Sequence, residues 1–270
     1  MNTKKLVLLS QKVRKDILQM AYDAQASHIG SSFSMVEIIV TLYELILKNN
    51  PKNPNDPNRD RLIISKGHAC TAPYALLSEL GYFKKELLKK YAKNGSILMS
   101  HVSSEVPGIE FSTGSLGHGL PVGLGMALFA KNNNKKWKVF VLLSDGELNE
   151  GSNWEAFMMA SHLKMDNLTV IIDNNRIQAM GFAKDIIDME PLEDKFRSFG
   201  WEVARVDGHN FHKIYNSLKN LINKKSSKPK ILIADTVKGK GVSFMENEVF
   251  WHYHSPDKDE YSRALKELAK

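Results

Sequence analysis

Residues 139–175 read VFVLLSDGELNEGSNWEAFMMASHLKMDNLTVIIDNN. The runs Lys138–Ser144 and Asn167–Asp173 have strand length and almost no polar alternation, as expected of strands covered on both faces. Between them, Ser152–Lys164 has helical length. Strand, helix and strand form a βαβ unit, whose right-handed crossover makes the two strands parallel. The first strand runs into Asp145-Gly146-Glu147 and the second into Asp173-Asn174-Asn175. Both polar sets therefore lie at carboxyl ends of parallel strands, the edge where open α/β sheets bind ligands.

The pattern continues outward. Arg61–Ser65, Trp201–Asp207 and Lys230–Asp235 are further strand-length runs, and Leu192–Phe199 and Phe211–Lys224 are further helical stretches. Val13, Ile17, Met20 or Ala21, and Ala24 recur at helical spacing near the N-terminus. Ser34 with Glu37, and Ser152 with Glu155, have the spacing of capping boxes. Met35, Ile38, Ile39, Leu42, Leu45 and Ile46 then share one helical face. Asn49–Asp60 reads as a loop and Asp257–Lys270 as a last helix. The expected fold class is α/β, a parallel β-sheet with helices on both faces, in one domain over residues 1–270.

Composition narrows the function classes. The 270 residues carry a net charge of +7, 43% hydrophobic residues and one cysteine, Cys70. A single cysteine excludes an internal disulfide and a cysteine-built zinc site. Cys70 is expected as a small buried hydrophobe, and Met158, Met159 and Met165 as core. Only seven of the 37 basic residues are arginine, and the lysines are scattered, which speaks for a solvated surface and against a nucleic-acid face. No signal peptide or membrane-length apolar run is visible, so the expectation is a cytoplasmic protein without membrane contact.

The strand ends carry the chemistry. Asp145 offers a carboxylate, Asn175 an amide oxygen and Ile177 a backbone carbonyl, the hard oxygens that Mg²⁺ takes together with phosphate and water. Gly146 lets the backbone approach an anion without a Cβ. Gly114-Ser115-Leu116-Gly117-His118-Gly119 precedes a Gly-rich helix, Leu120–Ala130, whose start favours an anion. Asp-Gly and Asn-Asn are also ordinary turn residues. Their pairing thirty residues apart around one βαβ unit is much more specific than either alone.

At this point the sequence resembles the thiamine diphosphate enzymes, whose motif is Gly-Asp-Gly followed about 30 residues later by Asn-Asn; Ser144 replaces the first glycine. Within that superfamily it resembles the N-terminal, diphosphate-binding portion of transketolase. ASHIGSSFS, LIISKGHACTAPYALL, SHVSSEVPGIEFSTGSLGHGLPVGLGMA, TVKGKG and WHY match in order, from about Ala26 to His252. The resemblance implies thiamine diphosphate as cofactor, with Mg²⁺ held by Asp145, Asn175 and the Ile177 carbonyl. It implies cofactor contacts from His68, Gly114, Ser115, Leu116, Gly146, Glu147, Asn175, Lys238 and His252. His28, His101 and His252 match substrate-facing histidines, and Glu150 and Glu155 an inter-subunit acidic network, with Glu150 counted in the catalytic set. His118, where many relatives carry Gln, is expected to bond locally; His162 and His254 are unassigned.

Full-length transketolases carry two further domains, the first supplying the glutamate that protonates the aminopyrimidine. These 270 residues contain no counterpart, so the expectation is a split enzyme with a separate C-terminal subunit, two copies of each, acting on sugar phosphates as in the pentose phosphate pathway. Three other readings stand beside it. A decarboxylating subunit of a 2-oxo acid dehydrogenase complex shares the metal motif but not SKGHA or the stretch from Ser100 to Gly119. A non-catalytic regulatory subunit has no need of Asp145, Asn175, His28, His68 and His101 together. A ketol transferase of a specialised sugar pathway fits as well as transketolase itself.

Overall fold

A computed structural model describes residues 1–269. Five parallel strands form one sheet: β1 (Arg61–Ile64), β2 (Val139–Ser144), β3 (Leu168–Asn174), β4 (Glu202–Asp207) and β5 (Lys230–Asp235). Their spatial order is β1-β2-β3-β5-β4. The helices are α1 (Thr3–Ala24), α2 (Ile29–Ser34), α3 (Val36–Thr41), α4 (Thr71–Glu79), α5 (Gly119–Asn132), α6 (Gly151–His162), α7 (Ala183–Ile186), α8 (Leu192–Ser198), α9 (Phe211–Asn223) and α10 (Lys258–Glu267).

Strand periodicity divides the core in two. Ile63, Val141, Leu143, Val170, Ile172, Ile231 and Ile233 face α5, α6 and α8. Leu62, Ile64, Phe140, Leu142, Ile171 and Leu232 face the layer of α1, α3, α4 and α9. Successive side chains point to opposite faces, so strands buried on both sides lose their polar alternation. On α9, Phe211, Ile214, Leu218 and Leu221 bury one stripe, and the Asn210 side chain caps the helix by accepting from the Lys213 amide. Asp257 and Glu260 form a capping box at α10.

Both capping boxes expected from the sequence are absent. The chain breaks at Met35 between α2 and α3, and Ser34 Oγ donates to the Ser31 carbonyl and to Asp173. Glu37 is drawn instead to Arg14. Ser152 lies inside α6, with its hydroxyl on the Gly117 carbonyl. In each case a tertiary partner takes the hydroxyl from the local backbone. The methionines also divide. Met165 is buried, whereas Met158 and Met159 are 55% and 51% exposed on α6, pointing away from the sheet.

Candidate active site

The carboxyl ends of the strands supply the site. The β1 end carries Ser65 to His68, β2 carries Asp145 to Glu147, β3 carries Asn174 to Ile177, and β5 carries Thr236 to Lys238. Ser144 pairs with Asp173 in the β2–β3 register, which brings Asp145 and Asn175 together as adjacent strand tips. They line one cavity of about 320 Å³ with Ile177, Gly146, Gly114, Leu116 and four histidines, His28, His68, His101 and His252.

Asp145 is buried, and its two oxygens accept the backbone amides of Gly146 and Arg176. Burial, and then the negative charge of Asp173, push its carboxyl up to about 6. Such a carboxylate gains from a cation placed against it. Asn175 Oδ1 accepts the Ile177 amide, and the Ile177 carbonyl accepts Lys238 Nζ at 2.9 Å. Among the described residues, no cluster of three or more His, Cys, Asp or Glu is placed to hold a metal. The donor set at this corner is one carboxylate with neutral oxygens, which suits a hard cation that shares phosphate and water. Gly146 keeps the corner open, since a Cβ there would lie 3.0 Å from the Gln178 side chain.

The histidines interlock. The His28 ring centroid is 5.1 Å from that of His68, 5.0 Å from His252 and 6.4 Å from His101. His28 joins α1 to α2 at φ +70°, held by its amide donating to the His252 carbonyl at 2.8 Å. Its buried Nδ1 has no hydrogen-bond partner. Burial, and then His101 and Lys238, lower His28 to about 4. His68 is likewise driven well below the ordinary value, by burial and then by Lys66. His252 falls to about 3 through burial and then Lys238. All three are therefore neutral near pH 7, each with one ring nitrogen to accept and one to donate. Lys238 Nζ lies 2.7 Å from His252 Nδ1. Burial, and then Lys66, lower the Lys238 ammonium to about 7; while protonated it only donates, so Nδ1 then accepts and the neutral ring carries its proton on Nε2.

Five expected residues do not line the cavity: Lys238, which is fully buried behind Ile177 and His252, and Glu147, Ser115, Glu150 and Glu155. Glu147 is completely buried beneath it, accepting from Ser65 Oγ and from the Gly117 amide at 2.9 Å. Ser115 is exposed outside the lining. Glu150 precedes α6 at the surface and Glu155 is exposed on α6, so neither touches the cavity. The start of α5 is also occupied. Gly119 donates its amide to Ser65 Oγ, and a Cβ at Gly119 would lie 2.3 Å from that oxygen. These glycines allow close packing against the β1 tip. His118 is exposed and bonds locally to the Leu116 carbonyl. His254 pairs with Glu260. Cys70 is buried, and burial pushes its thiol up to about 12.

The sequence reading missed the floor of the site. Lys66 and Asp173 form a wholly buried ion pair. Ser34 and Thr236 also donate to Asp173, and Lys66 donates to the Ser31 carbonyl at 2.9 Å. Strand periodicity turns Asp173 toward α2, the face opposite Ile172. The only signal was a charged residue at the end of each apolar run. A second missed contact holds His101. The Tyr74 hydroxyl donates to the His101 carbonyl at 2.7 Å and accepts the Ser103 amide at 3.1 Å.

The family profile described as "Transketolase, thiamine diphosphate binding domain" matches residues 8–268. The chain belongs to the transketolase family. Among the transketolases it is 40% identical to one of the subunits of the apulose-4-phosphate transketolase of Phocaeicola vulgatus, covering all of this chain and 96% of that one. It is 38% identical to the 6-deoxy-6-sulfo-D-fructose transketolase subunit SqwG of a Clostridium species, over 96% of this chain and 94% of that one. The crystal structure of Campylobacter jejuni transketolase superposes with a TM-score of 0.93 at 31% identity, covering all of this chain but 43% of that one. The chain thus spans about two-fifths of that transketolase and nearly the whole of the two subunits.

Proposed function

We propose that this chain is the diphosphate-binding subunit of a split transketolase, which moves a two-carbon ketol unit from a ketose to an aldose, phosphorylated or not. The observation that carries this reading is the convergence of Asp145, Asn175 and the Ile177 carbonyl with four histidines in one cavity. The SKGH histidine and the loop of His101 both contribute to it, which favours ketol transfer over 2-oxo acid decarboxylation. The relatives that match end to end are named as subunits of transketolases for different sugars. Those names leave the sugar and the pathway open, the pentose phosphate pathway included, and favour a catalytic over a regulatory role.

In this reading, Asp145, Asn175 and the Ile177 carbonyl hold Mg²⁺, and Gly114, Leu116, Gly146, His68 and Lys238 contact thiamine diphosphate. When bound, the cofactor supplies the carbanion-stabilising chemistry that breaks and forms the C–C bond. His28, His101 and His252 orient the sugar oxygens and move protons on and off them. A neutral imidazole is suited to this, because it accepts at one nitrogen and donates at the other. The partner completes the site. Met158 and Met159 on α6, Phe129 on α5, and Phe250 and Tyr253 beside His252 are exposed apolar side chains for another polypeptide to cover. A 2:2 assembly, with Glu150 and Glu155 near the shared boundary, belongs to the same proposal, as do one domain and a cytoplasmic location. No helix among the described residues is long and apolar enough to cross a membrane.

The test is turnover of a ketose phosphate donor with an aldose acceptor, with Mg²⁺ and thiamine diphosphate present. Activity is expected only when the partner polypeptide is added. Robust turnover by this chain alone, or none with the partner, would overturn the reading.

A further inference from the structure

His209 follows β4, outside the cavity, yet it is tied to the turn that carries Lys238. The Val237 amide donates to His209 Nε2 at 2.8 Å. An amide can only donate, so Nε2 accepts and Nδ1 carries the ring proton. Nδ1 then donates to Glu37 Oε2 at 2.8 Å. Glu37 accepts from both terminal guanidinium nitrogens of Arg14, at 2.6 and 2.8 Å. Arg14 completes the circuit, its Nε donating to the Lys240 carbonyl at 2.8 Å. The chain Val237–His209–Glu37–Arg14–Lys240 therefore grips the turn on both sides of Lys238.

Lys238 has no exposed surface. Its backbone carbonyl accepts the Asn247 amide, and the next amide, of Gly239, donates to the Gly30 carbonyl. With the backbone fixed, the lysine stem reaches the Ile177 carbonyl and His252. A shift of the turn would carry Nζ away from both. Arg14 and Glu37 are 6% and 7% exposed. Apolar side chains in their place would stabilise a core at least as well as a buried ion pair. What the polar circuit adds is direction, since each of its hydrogen bonds fixes the orientation of the next group.

We propose that His209 is a positioning residue, which with Glu37 and Arg14 sets the place of Lys238 behind the cavity wall, against Ile177 and His252, through the backbone of residues 237–240. The proposal rests on the reading of Lys238 as a cofactor-facing cation, and its test separates the two.

The variants are His209→Leu, which breaks both bonds, and His209→Gln, whose amide can accept from Val237 and donate to Glu37. Amide hydrogen exchange of the full chain is read first, without cofactor. His209→Leu is expected to speed exchange over residues 237–241 by about tenfold or more, with β2 and β3 unchanged, and His209→Gln to restore protection. Affinity for thiamine diphosphate with Mg²⁺ is read next, in the assembly with the partner polypeptide. It is expected to fall by about tenfold in His209→Leu and to return in His209→Gln, as for loss of one charge-assisted contact. Unchanged exchange over 237–241 in His209→Leu would overturn the proposal, as would equal loss in both variants or faster exchange throughout the sheet. If His209→Leu does not fold, the unaltered chain decides: a Val237 amide that exchanges as freely as an exposed one overturns the proposal, and a protected one restored in His209→Gln supports it. Failure of the unaltered assembly to bind the cofactor would instead overturn the reading of Lys238.

Discussion

Lys238 Nζ donates at 2.9 Å to the carbonyl oxygen of Ile177, the oxygen proposed to ligate Mg²⁺. The β5 tip thus sends a cation to the place where the β3 tip offers an acceptor. In the proposed reading a diphosphate entering this corner would meet Mg²⁺ on one side and the Lys238 side chain behind the other, at a buried wall where charges attract more strongly than in bulk water.

Lys238→Met should therefore weaken thiamine diphosphate binding by about 10- to 100-fold, the scale of one charge-assisted hydrogen bond. Titration calorimetry of the assembled enzyme at fixed Mg²⁺ checks this. The fold should persist, because the apolar stem of the lysine is retained.

The Lys66–Asp173 pair should behave as a unit. Asp173→Asn leaves the Lys66 ammonium buried without its counter-charge, and should cost about 3–5 kcal/mol in urea unfolding. Lys66→Met combined with Asp173→Asn should recover most of that loss. Additive costs in the double variant would show that the two side chains are not coupled.

Glu37 gives the stability a defined acid limb. Burial alone would raise its carboxyl; Arg14 and His209 outweigh burial and hold it at about 2, below its ordinary value. The unfolded chain binds this proton at higher pH than the folded one, so stability falls as pH drops from about 4.5 toward about 2. Its contribution is fully present above that window. Glu37→Gln should be less stable than the unaltered chain at pH 7 by about 3 kcal/mol. The gap should narrow across the acid window, as read by urea midpoints at stepped pH.

Tyr74→Phe removes one hydroxyl without opening a cavity, and frees the His101 carbonyl and the Ser103 amide. The histidine loop loses its fastening while the cofactor corner is untouched. The KM for the ketose donor should rise by about tenfold with little change in cofactor affinity, because misplacing a substrate-facing group costs alignment. Steady-state kinetics of the assembled enzyme with varied donor, then varied cofactor, separates the two.

The sheet was legible because strands buried on both faces leave continuous apolar runs. VFVLLS and LTVIID predict their own position, and Asp145 and Asn175 follow at their tips. Side-chain destinations were not legible in the same way. Ser34 and Ser152 have the spacing of helix caps, but a buried carboxylate and a neighbouring carbonyl compete for their hydroxyls. Glu147 has the motif position of a cofactor contact, yet its side chain turns under the site to tie Ser65 to Gly117. Met158 and Met159 look like core until the helix axis fixes which stripe faces the sheet. The Tyr74 and His209 contacts join residues far apart in the chain, and no local pattern announces them.

In the proposed site the tips of β2 and β3 hold one magnesium ion against a diphosphate. A crystal of the assembly grown with Mg²⁺ and thiamine diphosphate tests it most directly. Octahedral density is predicted at about 2.0–2.1 Å from Asp145, Asn175 and the Ile177 carbonyl, completed by diphosphate and water oxygens. Cofactor density elsewhere on the chain, or a diphosphate bound with no metal between it and Asp145, would contradict the account.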